Sequence, residues 1–211
     1  MTNLQKTQLF YQILRGALNP NDVSRSVKIG NIIRASGLTE EVVKRIKAQP
    51  GGVEFFSEKR LSFNPDFKFY SQCPPESLGR VYFNHLTSNG LNPNDLDGVK
   101  VMDDLSFLGN LMRQVHDIWH VVTGFDTSIS GEIGLQAFQA KQLGWPFSMV
   151  AIGGGCFITL FKAPEKIEEF IDQISLGQAL GEKAKLLILV DWNLYWETPI
   201  DEVKTELGFN R

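Results

Sequence analysis

Between Asp103 and Val122 the chain repeats apolar residues at helical spacing, Leu105, Leu108, Met112, Val115 and Trp119, and it reaches a glycine at position 124. Residues three and four apart share one face of an α-helix, so this stretch predicts a long helix whose apolar stripe needs covering by other elements and which stops at Gly124. The same spacing recurs in the first third, in Leu9, Ile13 and Leu14, in Val27, Ile32 and Ile33, and in Val42, Val43 and Ile46, and predicts short helices. Turn chemistry separates them, "LNPND" at Leu18–Asp22 and "SGLTEE" at Ser36–Glu41, with Thr39 expected to cap the third helix. A second clear helix is expected from Ser128 or Ser130 to Gly144, with Pro146 just beyond it. Two more should cover Pro164 to about Leu180 and Glu182 to about Trp196, before a short "PIDEVKTELG" ending. Ser62–Leu96 is rich in Pro, Asn, Gly and aromatics, which predicts irregular chain around one helix starting near Pro75 or Glu76. No stretch alternates as a strand does and no segment repeats, so the expected fold is all-α, a single-domain multi-helix bundle over residues 1–211.

Composition narrows the function classes. With 43% hydrophobic and 21% charged residues, the chain should fold throughout. A net charge of -3 and no basic run argue against nucleic acid as a partner. Cys73 and Cys156 are too few and too far apart for a disulfide framework or a cysteine-based zinc site, which suits a reducing compartment. The opening "MTNLQKTQLFYQILRG" has neither the pattern of a signal peptide nor the Arg- and Ser-rich character of a transit peptide, so a cytoplasmic location is expected. The longest apolar run, Phe147–Phe161, is short for a membrane span and is broken by Gly153, Gly154 and Gly155.

Two of the three histidines lie together in "HDIWHVVTGFDTSISGE", His116–Glu132. On a helix His116 and His120 share a face, Asp117 falls on the same arc, and Arg113 sits one turn earlier, where it could hold an anion. If the chain reverses after Gly124, a second helix brings Glu132 back towards His120. Two imidazoles and two carboxylates suit zinc first, or iron or manganese, better than magnesium or calcium. The competing account is a solvated helix face. A zinc-protease helix reads H-E-x-x-H, and Asp117 stands where its general base would be. An HD-type phosphohydrolase would use His85, His116, Asp117 and Asp191 but leaves His120 and Glu132 idle; His85, in "VYFNHL", otherwise reads as a hydrogen-bonded structural residue.

His116-Asp117-x-x-His120, eleven further residues and then Glu132 resemble the HDxxHx11E signature of the Coq4 family of ubiquinone biosynthesis proteins. The likeness extends through "LSFLGNLMRQVHDIWHVVTGF" and "GEIGLQAFQAKQLGWP", and more loosely to "PPESLGRVYFNHL". It implies an all-α protein, peripheral to a membrane, holding a divalent metal through His116, Asp117, His120 and Glu132 and accommodating a polyprenyl lipid. It also implies either an organising role among quinone-biosynthesis proteins or replacement of the ring carboxyl at C1 of a prenylated head group by hydroxyl. The lack of a mitochondrial presequence at the start points to a bacterial-type homologue. Arg113 as an anion partner rests on helix geometry and is no part of the signature.

A prenyl tail needs an apolar channel, and Met149, Val150, Ile152, Phe157 and Phe161 around the triple glycine are candidates, although ordinary core packing explains them as well. Trp192, Tyr195 and Trp196 could equally serve a membrane interface, a homodimer contact or the core.

Overall fold

The computed structural model describes residues 1–18, 24–58, 66–91 and 101–209. Past Leu18 the "LNPND" turn lies outside them, as do residues 62–65 and 92–96 of the irregular segment and the side chain of Val27. Among the described residues there are eleven α-helices and no strand, so the chain is an all-α multi-helix protein. The helices form two compact units, each built from two stretches of chain: Met1–Ile46 with Asp126–Glu182, and Lys47–Phe125 with Lys183–Arg211.

The first unit holds α1 (Asn3–Leu18), α2 (Ser24–Ala35) and α3 (Leu38–Lys47, up to Ile46) together with α8 (Ile129–Leu143), α9 (Pro146–Lys162) and α10 (Ile167–Lys183, up to Glu182). Helix α9 packs on α8, α1 and α2, and Arg45 of α3 donates to the Leu143 carbonyl at 3.1 Å. Val42, Val43 and Ile46 are buried, as their spacing predicted. Thr39 does not cap: α3 already begins at Leu38, and the Thr39 hydroxyl is buried without a hydrogen-bond partner. Helix α8 fits the sequence expectation closely, with Ser128 as N-cap, its hydroxyl accepting from Gly131 N at 3.1 Å, and Gly144 left-handed at φ 64° as its stop.

Helix α9 was not expected as a helix. Pro146 reads as a terminator after α8, yet it occupies the first turn of α9, where a missing N–H costs nothing and the fixed φ suits the helix. The three glycines inside it differ in use. A Cβ on Gly155 would come within 2.5 Å of Ile133 Cδ1 and 3.0 Å of Phe170, so Gly155 lets α9 approach α8 and α10. A Cβ on Gly153 or Gly154 would meet nothing within 4 Å. Gly153→Ala is therefore expected to stabilise the protein by about 0.5–1 kcal/mol, the helix-propensity difference, read from a chemical denaturation midpoint.

The second unit holds α4 (Gly52–Glu58), α5 (Phe67–Gln72), α6 (Leu78–Ser88), α7 (Asp104–Thr123) and α11 (Ile200–Leu207). Helix α7 starts with a capping box, Asp103 Oδ1 accepting from Ser106 N at 2.7 Å and Ser106 Oγ from Asp103 N at 3.0 Å, and ends at Gly124 with φ 81°. Leu108, Leu111, Val115, Ile118 and Trp119 are fully buried, so α7 is the core of this unit, packed by α6 and α11. Phe55 and Phe56 of α4 meet Phe107 with ring centroids 5.3 and 6.0 Å apart.

The helix expected over Glu182–Trp196 does not form. After α10 the chain makes two short 3-10 turns, Leu187–Leu189 and Trp192–Leu194, the second capped by Asp191 Oδ1 accepting from Asn193 N at 3.1 Å. The consecutive apolar run from Leu186 to Val190 has no polar face to give a surface helix, and packing decides its shape instead. The chain that follows is pinned to the start of α6: Leu78 N donates to Thr198 O at 2.9 Å, Gly79 N to Trp196 O at 2.8 Å and Ile200 N to Glu76 O at 2.8 Å. Trp192 and Trp196 are buried, Trp196 against Tyr70 and Tyr82 at 4.5 and 5.6 Å, so of the three roles open to this aromatic cluster these two take the core.

Candidate metal centre

The site grows out of the last two turns of α7. Burial of Val115, Ile118, Trp119 and Val122 fixes the rotation of the helix, and that rotation puts His116 and Asp117 half-buried and His120 buried on an adjoining face. One donor atom from each of His116, Asp117 and His120 lies within 4.8 Å of the others. The ring of His120 is oriented by the chain just after the helix: its Nδ1 is 2.9 Å from the Phe125 carbonyl. A carbonyl can only accept, so Nδ1 carries the proton and, in the neutral ring, Nε2 carries the lone pair, the form in which a histidine ligates a metal.

That Nε2 is 3.2 Å from Nε2 of His116, with the two rings nearly perpendicular at 89°. Two zinc–nitrogen bonds of about 2.0–2.1 Å at a tetrahedral angle separate their nitrogens by roughly 3.3 Å. The pair is thus spaced as ligands of one ion, and the carboxylate next to it supplies charge and a hard oxygen. The donor set fits a zinc-like metal and leaves a coordination position for a further ligand.

Helix α6 forms a second wall. His85 lies with its ring 5.6 Å from that of His120, stacked at 23°, and its Nε2 is 3.9 Å from Asp117 Oδ1. Its buried Nε2 has no hydrogen-bond partner, so that nitrogen does not make the structural hydrogen bond its sequence context suggests. All three histidines of the chain therefore meet at one place; their scarcity was the signal that could have included His85. Tyr82, one turn before His85, is fully buried; desolvation, with a smaller contribution from the Asp117 charge, drives its phenol far above the ordinary value and keeps it neutral.

The remaining predicted residues lie differently. Arg113 is largely exposed and hydrogen-bonds Asn110 Oδ1, one turn towards the start of α7; desolvation lowers its guanidinium pKa, yet it stays charged. Glu132 belongs to the first unit, in the first turn of α8, half-buried, with its N–H donating to Ser128 O at 2.8 Å. Asp191 is exposed and occupied as a turn cap, accepting from Asn193.

With this geometry in hand, likeness to known proteins is informative. The chain is 28% identical over 178 residues to a mitochondrial ubiquinone biosynthesis protein COQ4 homologue of Drosophila ananassae, covering 82% of this chain and 65% of the relative. It is 27% identical over 201 residues to the mitochondrial COQ4 protein of Eremothecium gossypii, covering 92% and 61%. It thus spans less than two thirds of the length of these curated relatives. A crystal structure of a protein assigned to ubiquinone biosynthesis in Nostoc punctiforme superposes with a TM-score of 0.86 over the full length of both chains, at 27% identity. The family model described as coenzyme Q (ubiquinone) biosynthesis protein Coq4 matches residues 1–211, and the chain belongs to the Coq4 family.

Proposed function

We propose that this chain acts in prenyl-quinone biosynthesis of the ubiquinone type as a divalent-metal protein, with His116, Asp117, His120 and Glu132 as the ligands and zinc as the metal. The observation that carries the reading is the pair of histidine Nε2 atoms 3.2 Å apart beside Asp117. Glu132 joins the set on the eleven-residue spacing of the family signature. When bound, the metal supplies a Lewis acid that polarises a carboxylate or phenolate oxygen of a prenylated aromatic head group. The protein's part is to hold the ion, with the His120 ring oriented by the Phe125 carbonyl and the Tyr82 phenol kept neutral by burial; a head-group oxygen would enter as a fifth ligand. The reaction class we assign is oxidative decarboxylation at C1 of the head group, in which the ring loses its carboxyl as carbon dioxide and gains a hydroxyl, with dioxygen as the oxidant and oxygen source and zinc, which is redox-inert, only holding the head group.

The lipid half of the reading is supported by α9 and α10. Met149, Leu160 and Phe161 on α9 and Ile167, Ile171 and Leu176 on α10 are all exposed. Of the five candidates, Met149 and Phe161 are exposed, while Val150, Ile152 and Phe157 are half-buried, as partial packing would leave them. Exposed apolar side chains on neighbouring helices suit a prenyl tail or a membrane surface. No helix among the described residues is long and apolar enough to cross a membrane. We place the chain on the cytoplasmic face of a membrane, among other quinone-biosynthesis proteins.

Elemental analysis with native mass spectrometry of the purified chain is expected to find one metal ion per chain and a co-purifying prenyl lipid. Glu132→Gln should retain the fold and weaken metal binding by at least about 10-fold. Metal-free protein that is folded and takes up no added zinc would remove the proposal. Conversion of a prenylated hydroxybenzoate to the hydroxylated, decarboxylated ring would establish the catalytic role, and bound lipid with no turnover would reduce the chain to a lipid-binding organiser.

A further inference from the structure

The metal reading leaves one buried group without a task. His85 Nε2 is enclosed and makes no hydrogen bond, although the Asp117 carboxylate stands 3.9 Å away. Leaving a buried imidazole nitrogen unpaired costs about 1–3 kcal/mol, and the site repeats this on no other histidine: His120 Nδ1 has the Phe125 carbonyl, and the two remaining Nε2 atoms face each other. The His85 ring is held by its own helix, where Tyr82 and Leu86 are buried on either side in sequence, and it stacks on His120. A distance of 3.9 Å is too long for a hydrogen bond and short enough to become one by a small rotation of the carboxylate.

We propose that His85 is a positioning residue of the metal centre: its Nε2–H donates to one oxygen of Asp117 and so turns the other towards the ion. This rests on the metal reading above. His85 is placed behind a ligand and not in the ligand set, since the three mutually close donors are His116, Asp117 and His120. A carboxylate that ligates through one oxygen keeps lone pairs on the other, and a buried N–H is the group that satisfies them. Without the donor, Asp117 gains a rotational choice and the ion loses a fixed ligand.

The test compares zinc affinity, by competition with a chromophoric chelator, for the full chain and for His85→Phe, which keeps a flat ring and drops the donor, and His85→Gln, which offers an N–H at the same reach. We expect His85→Phe to weaken zinc 10- to 100-fold, the usual effect of losing an outer-shell partner, and His85→Gln to recover most of that loss. In an Asp117→Asn background, His85→Phe should have no further effect, because the residue acts through that carboxylate. The visible spectrum of the cobalt-loaded protein should keep its intensity in His85→Phe, since the number of ligands is unchanged.

Unchanged zinc affinity in His85→Phe overturns the proposal, as does a cobalt spectrum that loses its tetrahedral intensity, which would make His85 a ligand. Equal losses in both backgrounds would reduce it to packing. If His85→Phe does not fold, failure of His85→Gln to bind within about 10-fold of the unaltered chain overturns the proposal instead. If the unaltered chain binds no zinc, the metal reading has failed, a result distinct from any of these.

Discussion

His116→Ala is expected to weaken zinc binding by well over about 100-fold, beyond the loss caused by removing an outer-shell partner, while the protein stays folded. The two Nε2 atoms 3.2 Å apart are a pair of nitrogens already at ligand spacing. Deleting one leaves a single imidazole and the carboxylates of Asp117 and Glu132, a set with one nitrogen donor fewer for zinc. His120→Ala should abolish binding equally but is a less clean experiment. His120 is buried at 2% exposure, and its removal strips the Phe125 carbonyl of its donor, adding a stability loss of about 1–3 kcal/mol. His116 is only half-buried, so its truncation should leave the metal-free melting temperature close to that of the parent. Saturating zinc at about 100 times its Kd stabilises a protein by about 2.7 kcal/mol. That metal-dependent gain should vanish in His116→Ala. A His116→Ala protein that melts later with zinc, as the parent does, would contradict the assignment.

The sequence made this arrangement readable where one helix could supply it. The 3.6-residue period puts His116, Asp117 and His120 on neighbouring faces of α7 whatever the rest of the chain does, and the capping box and Gly124 fix the ends of that helix. The place of His85 was less legible for the opposite reason: its approach to Asp117 depends on how α6 packs on α7, which no local pattern records. Helix α9 was missed because Pro and Gly carry two meanings. Pro146 can end one helix or open the next, and Gly153–Gly155 suggest a break until Gly155 is seen to serve close packing. The expected helix over Glu182–Trp196 failed through tertiary override, since burying Leu187, Ile188, Trp192 and Trp196 together and pairing 196–200 with the start of α6 suits turns better than a helix.

Gly177→Ala should destabilise the protein by about 3 kcal/mol, the upper end of the cost of overpacking a well-fitted interior. A Cβ at Gly177 of α10 would lie 2.2 Å from the Gly134 carbonyl oxygen and 2.9 Å from both Ala137 Cβ and Phe138 N, all on α8. These are helix backbone and its first carbon, with no flexible tip to swing aside, so α10 must retreat as a body. One turn on, Gly181 repeats the contact, its Cβ position 2.8 Å from Lys141 Cβ, and the Gly181 carbonyl accepts from Gln142 Nε2 at 3.2 Å. A retreat at Gly177 therefore also strains that hydrogen bond. The sign of the effect is what discriminates. Helix propensity alone favours alanine over glycine by about 1 kcal/mol inside a helix, and at Gly153 of α9, where nothing lies within 4 Å, that gain should appear. The two substitutions are chemically identical and both are helical, so denaturation midpoints moving in opposite directions would measure the close approach of α10 to α8. If Gly177→Ala proves as stable as Gly153→Ala, the two helices do not touch as described.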